Sequence, residues 1–223
     1  MENRVDASKL ARIGTVASSI AAGLLWVLGM ALTPWENGQS DMAVTLHHLG
    51  QAELAPVFLH FAFMLTVPAC LGLAWLSAGR APILAAATVV LTVLGSSMSG
   101  FLALDFYDLA VGQSLPLAQA MAISDKVGSY PSALIILLPS NFGMLLAMIL
   151  AAVTAWRAGM VRPWVVVIMA GSVIYGWMFS HGYALPSIGA AVGTAVALAL
   201  LGYAALGYSR QPAGLNLGQQ VAA

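Results

Sequence analysis

The chain has 223 residues, of which 61% are hydrophobic and only 7% charged, with eight basic and eight acidic side chains cancelling to zero. A soluble domain carries about a quarter charged residues, so this surface is suited to lipid rather than water. The absence of any basic arm or acidic tail excludes nucleic acid as a partner, and the single Cys70 rules out an internal disulfide.

A spanning helix needs roughly 20 mostly apolar residues to cross a hydrocarbon layer about 30 Å thick. Six stretches meet this, at 13–33, 55–77, 82–104, 132–156, 163–180 and 187–208, and none has Lys, Arg, Asp or Glu in its interior. They lack the alternation of transmembrane strands. The expected fold is an all-α integral membrane bundle of six helices, forming one domain over 1–210 with a tail at 211–223.

The first stretch follows "KLARIG" and has Gly29 and Ala31 near its end, features shared with a cleaved signal peptide. Its apolar run is longer than such peptides use, so a retained span is the expectation. In the loop 34–54, Ser40 is placed to cap a short helix that Gly50 would stop after Leu49. The second stretch holds Pro56, His60 and Pro68, with Glu53 two helical turns before His60 and the helix start expected near 55. The third carries Thr88, Thr92, Ser96 and Ser99 at helical spacing, and Asp105 and Asp108 follow it. In 105–131, Ser114 with Pro116 predicts a second short helix, amphipathic like the first. The fourth stretch contains "PSNFG" at 139–143, which predicts an interruption of the helix at Pro139. The sixth has Gly189, Gly193 and Ala197, a small-residue face for helix packing.

Basic residues set the orientation. With the N-terminus in the cytoplasm, Arg4, Lys9, Arg12, Arg80, Arg157, Arg162 and Arg210 lie inside and only Lys126 outside, as the positive-inside rule requires. Both termini are then cytoplasmic and the membrane is a bacterial plasma membrane. The connections "AWLSAGRAP" and "AWRAGMVRP" echo one another. An interfacial Trp, a snorkelling Arg and a helix-starting Pro account for the echo without a duplicated unit.

In this orientation all four histidines are on the outer side, three of them within "LHHLGQAELAPVFLHF" at 46–61. His47, His48 and Glu53 are accounted for by a loop leaving the membrane. His60 is different, because an ionisable group inside a span faces protein or water and marks a candidate site. Asp105 and Asp108, spaced i, i+3, point to the same end, as does His181 in "SHGYALP". Together with Ser140 and Asn141 deeper in the bundle, these residues form the expected ligand-binding set. His60, Asp105, Asp108 and His181 are also chemically suited to a divalent metal, or to acid–base catalysis by His60 and the two Asp residues. Adjacent His47 and His48 diverge by about 100° on a helix and are not expected to share an ion. No Walker motif, glycine-rich nucleotide loop or nucleophile elbow occurs, so no nucleotide cofactor is expected.

The layout, "KLARIG" leading into six spans with a histidine near the start of the second, resembles bacterial polytopic membrane proteins of unassigned function. That resemblance implies a fold and carries no catalytic residues. The leading expectation is a protein that binds or transports a small apolar or cationic ligand through a His/Asp-lined site in the outer half. A membrane-embedded enzyme acting on a lipid-like substrate, and an accessory or immunity-type subunit with no site of its own, are the alternatives. The expected partners are the bilayer, a lipid-like or small-molecule ligand, and a second copy or another membrane subunit.

Overall fold

The computed structural model describes residues 7–179 and 182–208. The 211–223 tail and His181 lie outside them. The described residues are almost wholly helical: α1 (Ala7–Leu32), α2 (Met42–His47), α3 (Leu49–Ser77), α4 (Pro82–Gly95), α5 (Met98–Phe101), α6 (Ala103–Ser114), α7 (Leu117–Ser129), α8 (Pro131–Arg157), α9 (Pro163–Phe179) and α10 (Ala184–Gly207). Five candidate spans are long and apolar enough to cross a membrane, at Ser8–Leu32, Leu49–Ser77, Pro82–Ser114, Ile135–Arg157 and Ala184–Gly207. The segment expected at 163–180 is an apolar helix of 17 residues, shorter than these.

The long helices pack as a ring in chain order. α1 lies against α3 and α10, α4 against α3 and α8, and α9 against α8 and α10, while α3 also reaches α8 through the middle. Small residues permit the tightest approaches. A Cβ added at Gly23 in α1 would come within 2.9 Å of the Ala195 backbone in α10, and one at Gly202 within 3.1 Å of Ser19. Gly193 similarly meets Ser172 of α9, whereas Gly189 has open space around it. Of the expected packing stripe, then, Gly193 and buried Ala197 make contacts and Gly189 does not. Met144, Met148, Met169 and Leu198 fill the centre and are fully enclosed.

The bundle has two unlike ends. At the arginine end, the two echoing connections touch: Arg80 Nη1 donates to the Ala158 carbonyl at 2.8 Å, and Ser77 Oγ donates to Met160 Sδ at 3.3 Å. Tyr208 Oη donates to the same Ala158 carbonyl at 3.3 Å beneath the Arg80 guanidinium. At the loop end sit α2, α6 and α7. There the turn Glu36–Gln39 is joined to the residues before α10, with Ser40 N donating to Gly182 O and Ala184 N to Gly38 O, both at 2.9 Å. Asn37 and Gly38 hold positive φ in this turn.

Several expected boundaries shift for local reasons. α2 is capped by Asp41, whose Oδ1 accepts from Val44 N at 2.9 Å, rather than by Ser40. Gly50 does not stop the chain there, because a new helix starts at Leu49 and runs through Pro56. Glu53 is therefore on the same helix as His60.

The larger corrections concern the third and fourth segments. The "PSNFG" stretch does not interrupt its helix: α8 runs unbroken from Pro131 to Arg157 with Pro139 inside it. The expected segment 82–104 lies within the single span Pro82–Ser114, but its helix is locally broken after Gly95, where Ser96 and Ser97 keep near-helical φ and ψ between α4 and α5. Serine hydroxyls compete there with the main-chain ladder. Ser96 Oγ donates to Val93 O at 2.7 Å and Ser99 Oγ to Ser96 O at 3.3 Å. Gly95 allows the break to sit directly on the neighbouring helix, since a Cβ there would overlap the Met144 backbone.

Candidate functional site

The segment expected to supply the site begins with the broken chain between α4 and α6. Ser99 lies in the one-turn helix α5, and its carbonyl accepts a hydrogen bond from His60 Nδ1 of α3 at 2.9 Å. A carbonyl only accepts, so this bond places the proton on Nδ1. The half-buried His60 thus staples α5 to α3. Ser97 Oγ makes the corresponding contact with α8, 2.6 Å from Ser140 Oγ, and Ser140 Oγ also donates to Ile136 O at 2.7 Å. Ser140 is a fastening for the break rather than part of a cavity wall.

Beyond the break, α6 carries Asp105 and Asp108 into a cavity of about 390 Å³. Thr33 and Pro34 at the end of α1, Leu46 of α2 and Ala55, Pro56 and Leu59 of α3 form its mainly apolar walls. Ser124 of α7 closes the far side, and its Oγ donates to Asp108 Oδ2 at 3.2 Å. Neither carboxylate is in a salt bridge among the described residues, where the only ion pairs are between histidines and Glu36. Among the described residues no basic side chain lines the cavity. It is therefore a hydrophobic recess with two unneutralised negative groups in one wall, and like charges this close favour an added cation or proton.

The structure brings together Asp105 and Asp108 from the expected set. His60 sits behind them on the Ser99 carbonyl and does not line this cavity. Asn141 lines a different cavity, between α1, α8, α9 and α10. Ser124 completes the acidic wall and was not singled out from sequence, because a serine in an amphipathic helix carries no signal of its own.

His47 and His48 also depart from expectation. They do not diverge as neighbours on one helix would, because the chain leaves α2 at His48 with φ −121° and ψ 49°. His48 Nε2 comes within 2.9 Å of Glu36 Oε1, and His47 Nδ1 within 3.6 Å of the same oxygen. All three side chains are well exposed. Among the described residues no group of three His, Cys, Asp or Glu side chains is arranged to hold a metal ion. No family model matches the chain, and neither a curated protein nor a solved structure matches it.

Proposed function

We propose that the chain crosses a bacterial plasma membrane six times, with both termini in the cytoplasm, and binds or moves a small amphiphilic cation through the Asp105–Asp108 cavity. The separation of Arg12, Arg80 and Arg157 from the acidic end supports this orientation. In this reading α4 and α5 together make the third crossing. α9, roughly 25 Å long at 1.5 Å per residue, makes the fifth with modest local thinning of the bilayer.

One observation carries the functional reading: two carboxylates without a cationic partner among the described residues share the wall of a mainly apolar recess. An ammonium-type head with an apolar body meets both requirements, neutralising the acids while its body covers Leu46, Pro56 and Leu59. His60 acts indirectly here, by fixing α5 and with it the start of α6.

Equilibrium binding of tetraphenylphosphonium to the purified protein in lipid nanodiscs tests the proposal. Wild-type protein should bind saturably. Asp105→Asn or Asp108→Asn should each weaken binding by about tenfold, equivalent to about 1.4 kcal/mol, and the double variant should lose saturable binding. Unchanged affinity in a double variant that still melts like wild type would overturn it.

A further inference from the structure

The second cavity, about 270 Å³ in volume, is lined from α1 by Trp26, from α8 by Asn141, from α9 by Ser172 and Trp177, and from α10 by Thr194. Among the described residues no ionisable side chain lines it. Of its amide and hydroxyl side chains, Ser187 donates to Tyr183 O at 2.7 Å, while the other three behave unlike those elsewhere in the bundle. The hydroxyls of Thr15, Ser18, Thr66, Thr92, Ser140 and Thr154 each donate to a carbonyl of their own helix, at 2.6–2.8 Å. Asn141, Ser172 and Thr194 make no side-chain hydrogen bond among the described residues, although Thr194 is only 4% exposed. Ser19 is also unpartnered, but it is wedged against Gly202 with no space beside it.

Three unsatisfied polar side chains from three helices therefore face one aromatic-walled space. Their polar atoms open onto the cavity, where an occupant can reach them, and within lipid no bulk water is at hand to satisfy them. The cavity reaches the perimeter of the bundle at Trp177. Trp177 lines it while remaining 44% exposed, and it stacks edge-on with Phe142 at 5.2 Å on the perimeter between α8 and α9.

We propose that this cavity is a second binding site, for a neutral amphiphile drawn from the bilayer: an apolar chain or ring bearing one hydroxyl. The hydroxyl both donates and accepts, as Asn141, Ser172 and Thr194 require, while the apolar body lies between Trp26 and Trp177. The absence of any charge in the wall selects against the cation assigned to the first cavity.

The test is photolabelling of the full chain in nanodiscs with a diazirine-bearing decanol, competed by unlabelled 1-decanol or by decane. Labelling should concentrate in peptides of α8 and α10, and decanol should compete about tenfold better than decane. The near-isosteric pair Asn141→Leu and Thr194→Val should remove about a tenfold share of that preference, as expected for loss of a buried hydrogen bond or two. Asp105→Asn/Asp108→Asn should leave it unchanged. Three results would each overturn the proposal: labelling spread evenly over the lipid-facing helices, no preference for the alcohol, or loss of the preference in the acid variants. An unaltered preference in a normally melting Asn141→Leu/Thr194→Val protein would also overturn it, since the polar groups would then be satisfied by water alone.

Discussion

α4–α5 and α8 lie side by side, and they treat helix-breaking residues in opposite ways. α8 contains Pro139, Asn141 and Gly143 and continues without interruption, whereas the segment holding α4 contains no internal proline and breaks after Gly95. Proline removes one main-chain bond, and a packed neighbouring helix supports the gap. Ser96 and Ser99 contest more, because each hydroxyl draws on a carbonyl three positions back, while Ser97 Oγ donates across to Ser140 of α8. A helix interior in this protein is decided by how many ladder bonds are contested, and by whether a neighbour takes up the loose ends.

The strongest way to break this comparison is at the contact itself. Gly95→Leu should force α4 away from the Met144 backbone and lower stability by about 3 kcal/mol, near the upper end for overpacking. A thermal melt of the purified protein in detergent would register this as a large fall in Tm. Gly189→Leu, in open space, should leave the melt close to wild type.

A smaller effect is expected at the staple. His60→Ala leaves the Ser99 carbonyl without its donor, at a cost of about 1–2 kcal/mol. Hydrogen exchange should rise in α5 and the start of α6 while α8 stays protected. His60→Gln, which retains a donor, should recover part of the loss; equal exchange in all three proteins would mean that the break needs no fastening.

The smallest effect belongs to the serine pair. A double-mutant cycle on Ser97→Ala and Ser140→Ala should return a coupling of about 0.6 kcal/mol, the usual size for a hydrogen bond between membrane helices. A coupling near zero would remove α8 as a support for the broken segment.

The helical class was legible in the sequence because a spanning segment is a composition signal, needing only a long run of residues without charge. The position of the break was not legible in the same way. Pro139 is conspicuous, while Ser96 and Ser99 look like part of an ordinary polar stripe until their hydroxyls are seen bonded to the Val93 and Ser96 carbonyls. The two acids were found as candidates because they are rare in this chain, but their cavity is assembled from α1, α2, α3, α6 and α7, which no spacing rule joins. Asn141 was grouped with Ser140 as its neighbour in sequence. On a helix adjacent residues point about 100° apart, so Ser140 reaches the break and Asn141 a separate cavity.

The hydrogen bonds from Ser40 to Gly182 and from Ala184 to Gly38 have a consequence for biogenesis. The partners of this turn, Gly182 and Ala184, are made long after the turn itself. Until then α1 must wait in the bilayer with Ser19 and Gly23 uncovered, so the rim is sealed in a single late step. A translation arrest before α10 emerges would leave that notched face available to chaperones and membrane proteases.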